Sequence, residues 1–408
     1  MKIAAITYSA PWGSAELFVT RELNALQEIC PSMLIAPMEP KGELFHEISK
    51  PLEELSLRLP LISVDMIKYL LKFGISDTRR FAELFARILI KSKRPRTIIR
   101  NLAVLPKSIY VAKIFQERGI SHIRVNWATT PATMAYIISF ITGIPWSLRT
   151  HRWDIYEDNM LKEKVKSAEF VICNSEKTKL GVVQIAGAQY ESKVYVKPLG
   201  MTIEPMNRES IISRIHKRRI EGNFHIVTPA NLVNVKGHRY LLEACSLLRE
   251  RGYKKYHLTL FGDGPLRGEI NGMIDRLGLD DFVELHEAIP NNKLLDLYRN
   301  NHVDLVVLPS ILTEEGEHEG FPNVLLEAMS FGIPVVSTNT GGIPELLADG
   351  AGILVNDKSG KELADAMERI MQDEDLAVDI ALKERKVMEA KYSIRQTALW
   401  MLGKYNMN

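Results

Sequence analysis

Short apolar runs alternate with longer stretches whose apolar residues recur at helical spacing, and the alternation continues through most of the chain. Residues 3–8, 33–36, 122–126, 147–150 and 170–174 read as strands, with helical patterns over 16–29 and 131–142 between them. A second series follows, with strands at 224–229, 257–261, 283–285, 305–308 and 335–338. Its helices are expected over 238–251, 266–277, 291–299 and 324–331. Strand-then-helix repetition of this kind predicts an α/β fold with parallel sheets covered by helices. The two series predict two doubly wound, Rossmann-like domains. Their boundary is expected near 195–204, where V-K-P-L-G-M brings Pro and Gly together after a short strand. The last segment, 376–408, reads as helix.

Composition narrows this picture. A chain of 408 residues has room for two or three domains, and 46% hydrophobic with 25% charged residues is ordinary for a globular protein. A formal net charge of +2 gives no reason to expect nucleic acid. Cys30, Cys173 and Cys245 lack metal-ligand spacing, and their odd number argues against a disulfide framework, so a reducing cytoplasm is expected. The first apolar run is too short for a signal peptide and reads as a buried strand. No stretch of about 18 consecutive apolar residues is present to span a membrane.

One segment stands apart. Residues 84–116 contain no acid but eight cations: Arg87, Lys91, Lys93, Arg94, Arg96, Arg100, Lys107 and Lys113. Two readings stay open: a solvated basic face on helices packed against the first domain, or an amphipathic surface for anionic lipid at the inner face of the cytoplasmic membrane.

Chemistry concentrates in E-G-F-P-N-V-L-L-E-A-M, from Glu319 to Met329. Pro322 pre-sets a first helical turn, and the amides of Asn323, Val324 and Leu325 are then available to an anion. Glu327, about one turn into the helix, is placed to accept hydrogen bonds from a vicinal diol. Phosphate-ready amides between two hydroxyl-binding carboxylates suit a nucleotide diphosphate sugar. The pattern, continuing to G-G-I-P-E at 341–345, closely resembles the donor-site signature of retaining glycosyltransferases of family 4, which have the GT-B fold.

That resemblance implies an N-terminal acceptor-side domain over 1–198, a donor domain over 199–385 and a helix over 386–408 crossing back to the first domain. The two domains would face each other across a cleft that closes to exclude water. Glu327 would bind ribose hydroxyls, and Glu319 would lie by the donor sugar. Phe321, Pro322, Asn323 and Val324 would offer backbone, and Lys236 in N-L-V-N-V-K-G-H would bind phosphate. Gly262 and Gly264 would approach the nucleotide, and Ile289 the base. Asn231 occupies the donor-site position where the family usually has Arg, leaving a single ammonium for the diphosphate. In the first domain, His151 in R-T-H-R-W-D-I-Y would face the sugar, with Arg149 and Asp154 orienting it or meeting the acceptor. Gly13 and Ser14 permit close approach of phosphate or acceptor, whereas Glu16 reads as a first-turn helix carboxylate.

With V-N-W-A-T-T-P-A-T-M-A and G-I-P-W-S, the chain is similar to the exopolysaccharide branch, which includes colanic acid and amylovoran glycosyltransferases. The expectation is therefore transfer of a hexose-type sugar from a UDP- or GDP-linked donor to a glycan or polyprenyl-linked acceptor. Neither a resident cofactor nor a metal is implied. Two alternatives stay open: a sugar-nucleotide-binding subunit without turnover, and a sugar-nucleotide epimerase.

Overall fold

The computed structural model describes residues 2–13, 16–44 and 46–405. Two compact units are present, Met1–Gly200 with Ile394–Asn408, and Met201–Ser393. Each is built on a six-stranded sheet.

In the first unit the strands are β1 (Ile3–Thr7), β2 (Leu34–Pro37), β3 (His122–Val125), β4 (Trp146–Thr150), β5 (Phe170–Cys173) and β6 (Val194–Val196). Their order is β2-β1-β3-β4-β5-β6, all pairs parallel, with Ile3 opposite His122 and Ile6 opposite Val125. Every residue of β1 is buried, as a strand covered on both faces requires. From β1 the chain steps one way to β2 and then returns to the other side as β3. The loops after β1 and β3 therefore diverge, which opens a crevice at the carboxyl edge of the sheet.

The second unit repeats the plan with β7 (Phe224–Pro229), β8 (Tyr256–Phe261), β9 (Val283–His286), β10 (Leu305–Leu308), β11 (Val335–Thr338) and β12 (Ile353–Val355). The order β12-β11-β10-β7-β8-β9 puts the divergence between β7 and β10, where Ile226 lies opposite Leu305. Strand β12 was not expected, because three residues are too short a run to stand out.

The continuous helix expected over 376–408 is divided. Helix Glu374–Val387 ends in a π turn at Met388–Tyr392, and Ser393 is extended (φ −65°, ψ 123°) before helix Ile394–Tyr405. The break has a cause: Met201 donates its N–H to the Tyr392 carbonyl at 2.7 Å and bridges Ser393 in strand fashion. Helix Ile394–Tyr405 packs on helix Leu17–Ile29, and the Tyr405 ring lies 4.5 Å from that of His122.

Residues 84–116 are also not one surface. They run through helices Thr78–Lys91, Pro95–Ala103 and Leu105–Glu117, and the third is largely core, with Ile109, Val111 and Phe115 buried. Lys107 is buried, donating from Nζ to the carbonyls of Met38 (3.0 Å) and Leu59 (2.7 Å). Burial pushes its pKa down to about 8.

Candidate functional site

In the second unit, the loops after β7 and β8 are stitched together. Leu232 N–H donates to the Asp263 carbonyl (2.9 Å), and Leu266 N–H donates to the Leu232 carbonyl (3.1 Å), which sets Gly262 and Gly264 beside the β7 loop. The chain then turns through Gly237 (φ +66°), where a Cβ would lie 2.0 Å from the Pro309 carbonyl oxygen. Only glycine permits that approach.

The turn delivers Lys236 to the divergence of the sheet. Its Nζ forms an ion pair with Glu319 Oε2, which reaches in from the loop after β10. Glu319 Oε1 also accepts from the Gly320 amide at 3.2 Å, and Ser310 Oγ lies 3.5 Å from Oε2. The Glu319 loop is pressed into place by T-G-G after β11. A Cβ on Gly341 (φ +59°) would meet the Glu319 carbonyl oxygen at 1.8 Å, and Gly342 N–H donates to the Gly320 carbonyl at 2.9 Å.

Helix Asn323–Ser330 starts here, with two departures from expectation. Pro322 is the N-cap (ψ 108°), not the first helical residue, and the Leu325 amide is committed to the Pro322 carbonyl at 3.2 Å. The first-turn donors left facing out of the helix are Asn323 and Val324. Glu327 is buried on this helix, and its Oε1 accepts from Asn291 Nδ2 at 2.8 Å. The Phe321 ring lies 5.6 Å from that of Tyr392. Ile289 is half-buried beyond β9, in a loop that Asp263 Oδ2 holds by accepting from the Ala288 amide at 3.1 Å.

Asn231 is exposed, and neither His238 nor Arg239, the residues that follow Lys236 closely, supplies a second charge there. His238 is buried, and burial together with Lys236 pushes its pKa down to about 4, so it is neutral. Arg239 is exposed and donates from Nε to Glu243 at 3.0 Å.

In the first unit, His151 follows β4. The β4–β5 register pairs Thr150 with Cys173, which sets His151 beside Asn174. Asn174 Nδ2 donates to His151 Nδ1 at 2.7 Å, so the ring proton sits on Nε2 and is donated to the Asn126 carbonyl at 3.0 Å. Both ring nitrogens are therefore engaged within the protein. The ring contacts Phe18 and Trp127, with centroids 5.2 and 4.5 Å away. Burial, with the Arg149 guanidinium beside it, pushes its pKa down to about 3. In NMR spectra the His151 resonance should stay at its neutral position from pH 8 to pH 5. A midpoint near 6.5 would show a ring open to water.

Arg149 does not reach a surface. It is buried, paired with Glu22 at 3.1 Å, and donates to Asn174 Oδ1 at 2.8 Å and to the Lys197 carbonyl at 2.9 Å. Its position corrects the acceptor-contact reading and leaves the orienting one, since Asn174 in turn holds His151. Asp154 is buried too, accepting the His151 N–H at 2.7 Å, and burial pushes its pKa up to about 7. Gly13 has φ +78°, and its amide is already given to the Glu43 carbonyl at 3.1 Å. Ser14 lies outside the described residues.

Glu16 is the residue whose part was missed. Its carboxylate accepts from the amides of Ser9 and Ala10 (2.7 Å each) and from Trp127 Nε1 (2.7 Å), tying the loop after β1 to the loop after β3. Its place just after a strand-end turn marked by Pro and Gly, S-A-P-W-G-S, was the signal available in the sequence. Beside it is a cavity of about 400 Å³ whose lining includes Tyr8, Leu61, Arg100, Trp127, Trp153 and Glu157. Aromatic and apolar faces with a few polar groups are the usual lining of a small-molecule site.

Known proteins resemble the chain in part of its sequence and in its fold. Residues 211–387 match the sequence family described as glycosyl transferases group 1. The putative colanic acid biosynthesis glycosyltransferase WcaL of Escherichia coli (strain K12) is 33% identical over 170 residues, 41% of each chain. The amylovoran biosynthesis glycosyltransferase AmsK of Erwinia amylovora is 31% identical over 169 residues, again 41% of each. These matches thus span about two fifths of the curated relatives' length. Among solved structures, Anabaena HepE in complex with UDP superimposes with a TM-score of 0.69 at 21% identity, covering 99% of this chain and 100% of that one. A glycosyltransferase from Rickettsia africae gives 0.68 at 17% identity, covering 99% and 97%. The fold class is α/β of the GT-B type, with two doubly wound units.

Proposed function

We propose that the chain is a retaining glycosyltransferase of family 4 that moves a hexose-type sugar from a UDP- or GDP-linked donor to a glycan or polyprenyl-linked acceptor, in the synthesis of a cell-surface polysaccharide. The observation that carries this reading is the Lys236–Glu319 pair at the divergence of the second sheet, with Glu327 one turn into the adjoining helix. It lies within the region matched to glycosyl transferases group 1, and HepE was solved with UDP.

In the proposed reaction the second unit holds the donor. The diphosphate meets the Lys236 ammonium and the amides of Asn323 and Val324, and Glu327 exchanges Asn291 for ribose hydroxyls. The bond between the anomeric carbon and the phosphate oxygen breaks as the acceptor oxygen bonds to that carbon from the same face. The acceptor's proton passes to the leaving phosphate oxygen. Glu319 stabilises the positive charge that develops on the sugar, and Lys236 the negative charge on the leaving group. The first unit holds the acceptor at the carboxyl edge of its own sheet, where the neutral His151 ring lies.

A thermal-shift screen of sugar nucleotides should find at least one donor that stabilises the chain. Glu327→Ala should weaken that donor's binding about tenfold or more, the loss of one or two hydrogen bonds to a charged group. Unchanged affinity in this variant would count against the reading. Asn231 supports a second reading, a sugar-nucleotide-binding subunit without turnover. Stabilisation by donor with no transfer to any lipid-linked or glycan acceptor would favour it.

A further inference from the structure

Helix Val64–Ser76 is apolar on two faces. Leu70 and Phe73 pack inward against the core of the first unit. On the outer face Val64, Leu71 and Ile75 are 72%, 60% and 82% exposed, with Ile67 between them. Positions 64, 67, 71 and 75 form one stripe at helical spacing, flanked by Lys68 and Lys72. Ile90 and Ile99, on the two helices that follow, are exposed as well. An apolar stripe held in register on the outside of a helix marks a surface that meets something other than water.

Charge says what that is. Residues 61–100 hold ten Lys and Arg against three Asp and Glu, in a chain whose net charge is only +2. Some of these cations have acidic neighbours, as Arg87 has Glu83 at 2.5 Å, but such exposed pairs are weak and exchange readily. Lys72, Arg79 and Arg96 are exposed. Aliphatic side chains ringed by cations complement hydrocarbon beneath anionic headgroups. Two exposed aromatic residues, Trp153 and Tyr156, add the side chains that settle at headgroup level. Arg94 ties their helix to the basic segment by donating to the Tyr156 carbonyl at 3.1 Å. The cavity adjoins this segment, since Leu61 and Arg100 both line it.

We propose that the outer stripe of helix Val64–Ser76, with the basic segment that follows it, docks the first unit on an anionic membrane. The cavity then receives the saccharide head of a lipid-linked acceptor from the membrane plane, a consequence that rests on the transferase reading above. The surface differs from the one expected over 84–116: it begins some twenty residues earlier and excludes the buried helix Leu105–Glu117.

The test is co-sedimentation of the full chain with vesicles of phosphatidylcholine alone or with a quarter phosphatidylglycerol. Binding should be about tenfold tighter to the anionic vesicles and should weaken as salt rises. Leu71→Glu with Ile75→Glu, and separately Lys68→Glu with Lys72→Glu, should each lower it about tenfold. All four positions are exposed, so folding is retained, and donor-induced thermal shift on the same preparations checks this. Equal binding to both vesicles, or variants that bind like wild type, overturns the proposal. So does a dimer that the Leu71/Ile75 variant splits without any vesicle binding, which would assign the stripe to a second copy. Donor binding without vesicle binding removes the docking surface and leaves the transferase. Vesicle binding with no donor binding does the reverse.

Discussion

Replacing Lys236 with alanine is expected to lower kcat for sugar transfer by about 10²–10³, the usual cost of losing one preorganised group that stabilises a developing charge. The size follows from how few cations the site has. Asn231 is uncharged, His238 is held neutral chiefly by its burial, which the substitution leaves in place, and Arg239 pairs with Glu243 at the surface. None of the three can take over the ammonium's work. The substitution also leaves the mostly buried Glu319 carboxylate without its counter-charge, directly beside the proposed diphosphate position. Like-charge repulsion should therefore raise KM for the donor as well. Lys236→Arg should recover part of kcat, and Arg239→Ala should stay close to wild type. Steady-state kinetics with a competent donor decide the matter, and an unchanged kcat in Lys236→Ala would remove Lys236 from the mechanism.

Glu22→Gln is expected to destabilise the first unit by about 3–5 kcal/mol, the range for removing one partner from a buried ionic group. Glu22 is buried, with Arg149 at 3.1 Å and Arg124 in closer contact. Burial alone would raise its pKa, but the two guanidiniums outweigh that and hold the carboxyl below its usual range. Without the carboxylate, two cations remain buried with no counter-charge. All five tryptophans, at 12, 127, 146, 153 and 400, fall in the first unit. Urea unfolding followed by tryptophan fluorescence therefore reports that unit without assuming that the whole chain unfolds in one step. The loss should reach the site through Arg149, which holds Asn174, which holds His151. An undisturbed midpoint would show that the cluster contributes little.

How far the site could be read from the sequence depended on distance along the chain. Glu319, Gly320, Pro322 and Glu327 lie within nine residues, so their pattern displays their chemistry directly. The cage around His151 does not: Asn126, Trp127 and Asn174 come from other strand ends, and Glu16 is tied to Trp127 across 111 positions. Arg149 and Lys107 look like surface cations in the sequence because nothing local shows the carbonyls and carboxylate that receive them. The Gly341 requirement likewise becomes visible only where its chain passes the Glu319 carbonyl.

By itself the sequence determined the α/β class and the succession of strands and helices, because apolar run length and helical periodicity are local properties of burial. It also displayed the Glu319–Met329 motif, whose residues share one loop and one short helix. Tertiary structure alone decided which strands neighbour each other, and hence that Lys236 meets Glu319. It likewise decided which cations are buried and which apolar helix face remains uncovered. Those outcomes depend on pairing between segments far apart in the chain, and no local pattern encodes which distant carbonyl, carboxylate or helix will fill the space beside a side chain.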